Sequence, residues 1–290
     1  MRFEYTEPTT IQEAISSLVK YDDRAKVIAG GTDLLVQMRQ KTIRPDYIVD
    51  ITNIPGLDYI NYDEKQGLSI GALTTIRSLE KSAELRMKYP VISLAASKLG
   101  SVAIRNLGTL GGNLCNAAPS AEMSPALIGL SANAKIVGPG GERIVPLENF
   151  FTGPGTTLLK KGEILVEIQV PIPSPDTKGI YLKHAIRGSI DLAIVGIAVI
   201  TTLESENKAC KDIKIVLGAV APIPMRARSA EGIIEGKRID EGLIEKSSEA
   251  ASAEARPVSD VRASADYRSE MVKVFTRRAL RQVMVEAGVN

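Results

Sequence analysis

The stretch Lys26-Val27-Ile28-Ala29-Gly30-Gly31-Thr32-Asp33-Leu34-Leu35 decides how the chain is read. Lys26 to Ala29 has the composition of a short buried strand, and Gly30-Gly31 turns the chain. Leu34, Leu35, Met38 and Lys41 then continue as a helix that Thr32 or Asp33 can cap. A helix N-terminus offers unpaired N–H groups and partial positive charge, and glycine lets an anion approach without meeting a Cβ. The same residues also describe an ordinary βα turn. Asp33 would repel a phosphate, so it caps the helix or bonds a neutral part of a ligand.

Upstream, Ile11, Ala14, Ile15, Leu18 and Val19 give Thr10 to Tyr21 a helical spacing, with Pro8-Thr9 before it. Downstream, Tyr47 to Ile51 reads as a second strand, so roughly the first 55 residues form a small lobe rich in β-α-β pattern. Leu57 to Ala72 holds two strands joined by the polar turn Asp63-Glu64-Lys65-Gln66-Gly67. Thr74–Leu79, Pro90–Leu99 and Pro119–Ser131 read as helices, the last with Pro125 in its first turns. Ala134–Val137, Arg143–Val145 and Glu163–Val170 are strand candidates.

Pro171-Ile172-Pro173-Ser174-Pro175 is the clearest linker, because three prolines in five residues disfavour helix and central strand alike. Beyond it come three strand patterns, Lys178–Arg187, Ala193–Leu203 and Ile213–Ala221. Two or three helices follow, the last from about Ala265 to Glu286. The expected class is α+β. One domain covers 1–175, with subdomains of about 1–55 and 56–175, and a second covers 176–290 as an antiparallel sheet with helices on one face.

Composition narrows the function. The 290 residues carry a net charge of +2 with no long like-charge block, which argues against a nucleic-acid or membrane-surface role. The longest apolar run, Leu192 to Ile200, is β-branched and interrupted by glycine, so it reads as a buried strand and not a membrane span. The first seven residues include two acids and no apolar core, unlike a signal peptide. Cys115 and Cys210 are the only cysteines, which suits a reducing cytoplasm and excludes a disulfide framework or a four-cysteine cluster. His184 is the only histidine, so paired-histidine metal centres are excluded, and its strand-like neighbours favour a structural role. Neither a GxxxxGK[ST] phosphate loop nor a GxGxxG fingerprint occurs.

Four further features can carry chemistry. Thr109-Leu110-Gly111-Gly112-Asn113, preceded by Gly108, has neither helical nor strand period and reads as a loop. Its main-chain donors either wrap an anion or face solvent. Glu122 either accepts hydrogen bonds from ribose hydroxyls or is a first-turn helix acid. Lys183 either meets a flavin carbonyl or phosphate, or is a solvated lysine on a strand face. Cys115, with no resolving partner, reads as a small buried residue.

Taken in order, these segments resemble the FAD-binding medium subunit of the molybdenum hydroxylase family, the carbon monoxide dehydrogenase-like and xanthine dehydrogenase-like enzymes. The resemblance runs through Phe3-Glu4-Tyr5, Pro8-Thr9-Thr10, Val27 to Leu34, Ile70 to Thr75, Ile104 to Asn113 and Ala117 to Pro125. It continues through Glu163-Ile164-Leu165, Tyr181-Leu182-Lys183 to Arg187, and Asp191-Leu192-Ala193. It implies a two-subdomain FAD-binding domain of the PCMH type followed by a C-terminal domain like that of the CO dehydrogenase flavoprotein. FAD would then be held by Val27, Ile28, Ala29, Gly30, Gly31, Thr32, Asp33, Leu34, Thr109, Gly111, Gly112 and Asn113. Glu122 would lie toward the adenosine, and Leu165 and Lys183 near the isoalloxazine. The family often has Asp at the position of Glu122. The resemblance also implies a [2Fe-2S] small subunit and a molybdopterin large subunit as partners, in a dimer of heterotrimers. The flavin would pass electrons from the clusters to an acceptor, with no catalytic acid or base and no metal ligand in this chain. A stand-alone FAD-dependent oxidoreductase is the alternative. A purely structural role for both glycine stretches is a third.

Overall fold

The computed structural model describes residues 2–187, 190–206 and 208–288. The first segment runs β1 (Glu4–Thr6), α1 (Ile11–Tyr21), β2 (Ala25–Ile28), α2 (Leu34–Arg39) and β3 (Tyr47–Asp50). The three strands form a parallel sheet in the order β1-β3-β2. Thr10 caps α1: its hydroxyl accepts from the Glu13 N–H at 3.2 Å, and the Glu13 carboxylate accepts from the Thr9 N–H at 2.8 Å. Ala14, Ile15 and Leu18 then pack on Val49 and Ile51. The expected buried strand at Lys26–Ala29 is instead an edge strand, and Lys26 and Val27 are exposed because β2 has a neighbour on one side only.

The second segment runs β4 (Ile60–Asp63), β5 (Gly67–Gly71), α3 (Ile76–Lys81), α4 (Ala83–Lys88), α5 (Pro90–Lys98), α6 (Val102–Leu107), α7 (Leu110–Cys115) and α8 (Met123–Gly129). It continues with β6 (Asn133–Gly138), β7 (Gly141–Pro146), β8 (Phe151–Gly153), β9 (Thr156–Thr157) and β10 (Ile164–Val170). An antiparallel sheet in the order β4-β5-β10-β6-β7 carries α5, α7 and α8 over one core. The helix expected from Thr74 starts two residues later. Thr75 supplies the cap to the Ser78 N–H at 3.1 Å, while the Thr74 hydroxyl is bound to the backbone of Tyr59. Likewise α8 starts at Met123, not Pro119, and Ala117 turns the chain at φ 46°.

Residues 171–176 carry no helix or strand. The last segment is β11 (Thr177–His184), β12 (Val195–Leu203), β13 (Cys210–Gly218), β14 (Met225–Arg226), α9 (Arg228–Ile234), α10 (Glu241–Glu254) and α11 (Ala265–Glu286). Its antiparallel sheet, β11-β12-β13-β14, is covered on both faces. Ile197, Val199, Ile215 and Leu217 meet Val272, Ala279, Leu280 and Val283 of the helices. Ala198, Ile200, Val216 and Tyr181 join the core of the preceding segment. Burial on both faces is why β12 is almost continuously apolar instead of alternating. Leu192, expected in this strand, lies before it and is exposed. Among the described residues no helix is long and apolar enough to cross a membrane.

Candidate functional site

The two glycine-rich stretches cross. A Cβ on Gly30 would lie 1.8 Å from the Leu107 carbonyl oxygen and 3.0 Å from the Gly108 Cα. A second tie lies beside the first: the Gln37 amide donates to Asn116 Oδ1 at 3.2 Å, joining α2 to the end of α7. Gly31 takes φ +68°, a left-handed conformation that suits glycine, and turns β2 into α2. Leu35 N–H donates to Gly31 O at 3.1 Å. The N–H groups of Gly30, Gly31, Thr32, Asp33 and Leu34 have no acceptor among the described residues. Open N–H groups at a helix start are the kind of donor set an anion takes. Asp33 sits at the N-cap position without a capping hydrogen bond, and Thr32 does not cap either, contrary to expectation. Surrounding protein raises the Asp33 carboxyl above its ordinary value.

Thr109 to Asn113 is not a loop. Thr109 is the N-cap of α7, its hydroxyl accepting from the Gly112 N–H at 3.0 Å. Leu110 N–H donates to Thr74 O at 2.9 Å and Gly111 N–H to Ala72 O at 2.8 Å, so the first donors of this helix are consumed by the chain itself. Gly111 is glycine for packing: a Cβ there would lie 2.8 Å from both Ala72 Cβ and Ala72 O. What remains available at this second stretch is Asn113, whose buried Oδ1 has no partner.

Glu122 and Lys183 form a buried ion pair, Nζ to Oε1 2.7 Å, with side chains 6% and 7% exposed. Lys183 is therefore not a solvated strand-face lysine. Its ammonium also donates to Lys98 O at 2.9 Å and Asp191 O at 2.6 Å, so all three of its N–H groups are engaged. Glu122 sits at the N-cap position of α8 but makes no capping bond. Burial raises its carboxyl above the ordinary value, Asp33 adds to the rise, and Lys183 opposes it. That coupling sets Asp33 of the first stretch, Glu122 and Lys183 in one electrostatic neighbourhood. It joins three separate elements: the turn before α2, the start of α8, and β11.

The remaining candidates stand apart. Val27 and Ile28 lead into the crossing from β2, with Ala29 half-buried behind them. Leu165 is 3% exposed in the core beneath α7, at the bulge in β10, and presents no surface. His184 is held within the C-terminal segment: its Nε2 lies 2.9 Å from the Tyr267 hydroxyl and its ring is tilted against Phe275. Cys115, expected to be buried, is half-buried, and the protein around it pushes its thiol up to about 12, away from the thiolate form a nucleophile needs. Leu107, Gln37, Lys98 and Asp191 are not among the expected site residues: the first three act through contacts far away in the chain, and Asp191 through its backbone carbonyl, which no side-chain pattern reveals.

In this α+β fold the open main-chain donors of residues 30–34 and the unpartnered buried Oδ1 of Asn113 belong to the two stretches that cross. Comparison with known proteins identifies the family. Residues 1–173 match the FAD binding domain in molybdopterin dehydrogenase, and residues 180–283 match the CO dehydrogenase flavoprotein C-terminal domain. The chain belongs to the FAD-binding medium-subunit family of the molybdenum hydroxylases, flavoprotein subunits of oxidoreductase complexes. It is 33% identical to the glyceraldehyde dehydrogenase medium chain of Sulfolobus acidocaldarius, covering 97% of this chain and 98% of that one. It is 32% identical to the xanthine dehydrogenase FAD-binding subunit of Escherichia coli O157:H7, covering 98% and 97%. Among solved structures it resembles carbon monoxide dehydrogenase from Hydrogenophaga pseudoflava lacking the Mo-pyranopterin moiety, with a TM-score of 0.94, 33% identity, and 98% of both chains covered. FAD fits the residues present: the open N–H groups of 30–34 suit a pyrophosphate, and Asn113 Oδ1 awaits a donor.

Proposed function

We propose that the chain is the electron-relay subunit of a molybdopterin-dependent hydroxylase or dehydrogenase. FAD would be seated where the Gly30–Leu34 turn crosses the start of α7. The observation that carries the reading is the run of open N–H groups at Gly30 to Leu34, with the unpartnered Asn113 Oδ1 on the stretch that crosses it. Bound FAD supplies the redox chemistry, taking up electrons and giving them to an external acceptor.

The chain's own residues do the holding. Backbone donors of 30–34 bind negative charge, with Gly31 supplying the turn that points them outward. Thr109, through its cap on Gly112, fixes the helix that carries Asn113. Glu122 and Lys183 satisfy each other and keep two charges fixed beside the site. Leu165 closes the core below it. We place Val27 to Leu34, Thr109, Gly111, Gly112, Asn113, Glu122, Leu165 and Lys183 in the cofactor-binding region, with Gly111 and Leu165 supporting it through packing. No residue is assigned as a catalytic acid or base, since substrate would be oxidised on a partner.

The relatives' names, medium chain and FAD-binding subunit, support an assembly with a [2Fe-2S] small subunit and a molybdopterin large subunit. Electrons would enter from the clusters. The domain division proposed is 1–175 and 176–290. The test is purification of the chain from its native source under mild conditions. Yellow protein that releases FAD on denaturation, together with iron–sulfur and molybdenum subunits, supports the reading. Colourless protein that takes up no added FAD overturns it. A yellow chain that purifies alone and turns over a substrate would favour the stand-alone oxidoreductase.

A further inference from the structure

Five helices and turns converge on one glutamate that no part of the cofactor reading uses. The Glu80 carboxylate receives Arg77 Nη1 at 2.7 Å and Arg105 Nε at 2.8 Å. Its backbone carbonyl receives Arg86 Nε and Nη2 at 3.2 and 3.0 Å and the Ser93 hydroxyl at 2.9 Å. Arg105, 8% exposed, spends its remaining donors on Leu99 O at 2.8 Å and Gly100 O at 3.3 Å. Glu80 thus ties α3 to α4, α5, the α5–α6 turn and α6. The two guanidinium groups hold its carboxyl below the ordinary value against the opposing effect of burial.

The clamp sits directly behind the crossing. Arg105 belongs to α6, and α6 ends at Leu107, whose carbonyl is the surface on which Gly30 rests. Gly108 N–H donates to Ile104 O at 2.7 Å, and Gly108 O accepts from the Ile76 N–H at 2.8 Å at the start of α3. Thr109 pairs with Thr75 through an isolated bridge. Both α3 and α6, which Glu80 and Arg105 lock together, therefore set the position of Leu107, Gly108 and Thr109. Interlocked groups of this kind move as a unit because a close-packed interior transmits small displacements. With a would-be Cβ distance of 1.8 Å at Gly30 there is no slack between Leu107 and the turn that carries the open N–H groups.

We infer that Arg105 and Glu80 are positioning residues for the cofactor: their fork holds Leu107–Thr109 so that Gly30–Leu34 present their N–H groups in the binding geometry. The inference rests on the proposed seat of FAD at the crossing. A lysine at position 105 keeps the charge but cannot make the planar two-sided contact to Glu80 and the Leu99 carbonyl. Sub-ångström misplacement of donors lowers affinity without abolishing the fold.

The test compares the full-length chain with Arg105→Lys, Glu80→Gln and a matched control, Arg226→Lys. The control loosens another partly buried fork, that of Arg226 on Glu231 in the C-terminal sheet. FAD dissociation constants come from titration of flavin fluorescence, the geometry of bound flavin from its visible circular dichroism, and folding from the thermal midpoint of the FAD-free chain. The expected result is FAD affinity at least fivefold weaker, with an altered flavin dichroism, in Arg105→Lys and Glu80→Gln. Arg226→Lys should lower only the thermal midpoint. If either crossing variant folds and binds FAD within twofold of wild type with unchanged dichroism, the positioning role is overturned. The same holds if the control weakens FAD equally. Failure of the wild-type chain to bind FAD would instead overturn the seat of the cofactor, a separate outcome.

Discussion

Gly30 rests directly on the carbonyl of Leu107: a Cβ at position 30 would lie 1.8 Å from that oxygen. The contact joins two stretches that lie far apart in the chain and makes one site of them. The neighbour is backbone, held at Leu107 by α6 and at Gly108 by its bond to Ile76, so it cannot rotate away.

The first prediction follows from that contact. Gly30→Ala should force the turn and α6 apart. Overpacking of a tight contact costs about 1–3 kcal/mol, and the shift falls on the open donors. The thermal midpoint should drop and FAD uptake should weaken together, read by calorimetry and flavin titration on the same sample. An alanine variant that binds FAD like wild type would remove the crossing from the site.

A glycine with free space should behave in the opposite way. Gly232 lies inside α9, exposed, with nothing within 4 Å of a would-be Cβ and no left-handed backbone. Gly232→Ala should stabilise the chain by about 0.5–1 kcal/mol, because alanine has less freedom to lose on folding. Chemical denaturation at constant m-value checks it.

Much of the architecture was readable because its elements carry their own period. The last helix runs over Ala265–Glu286 as the spacing indicates, α1 starts just after Thr10, and β12 is an apolar run too short and too β-branched for a helix. The short α4 and α6, six residues each and capped by Ser82 and Ser101, have no room for a period and are invisible in the spacing. Helix α7 is hidden for a different reason. Gly111 looks like a loop residue but is glycine because Ala72 presses on it, a fact of tertiary packing. The site divides the same way. Gly30-Gly31 advertises a turn locally, whereas the pairing of Glu122 with Lys183, 61 positions away, leaves no local trace.

His184 should leave a signature in pH. Burial, and secondarily the charge of Arg278, lower its imidazole below the ordinary 6.5. The folded state therefore prefers the neutral ring, while the unfolded chain takes up the proton first as pH falls. The associated stability is fully present above 6.5 and is lost as pH drops from there through the lower folded value. As the only histidine, it should appear as a single imidazole resonance titrating below 6.5. His184→Gln should flatten the stability profile in that window. A resonance titrating above 6.5 would contradict the burial described.

The two thiols offer a probe of opening. Burial pushes Cys115 up to about 12 and raises Cys210 as well. The thiolate is the reactive form, so at pH 8 the folded chain should alkylate half-buried Cys115 slowly and buried Cys210 not at all. Iodoacetamide should label both rapidly after denaturation, counted by intact mass. Rapid labelling of Cys210 in the folded chain would show that the C-terminal sheet opens locally.

The last prediction concerns Lys183, whose three donors are all taken by Glu122 and the carbonyls of Lys98 and Asp191. Lys183→Met should leave Glu122 buried with no counter-ion, its carboxyl pushed further above the ordinary value. Removing one member of a buried pair costs about 3–5 kcal/mol, most of it from the charge left behind. Adding Glu122→Met should then restore much of the stability, because an apolar pair of similar volume has no desolvation cost. A double-mutant cycle on the FAD-free chain should give a coupling toward the upper end of about 0.5–3 kcal/mol. The FAD-free state matters: a lysine held by three partners of its own chain stabilises the join between α5, α8 and β11 whether or not cofactor is bound. If Lys183→Met leaves the FAD-free chain unchanged in stability and weakens only FAD binding, the ammonium serves the cofactor and not that join.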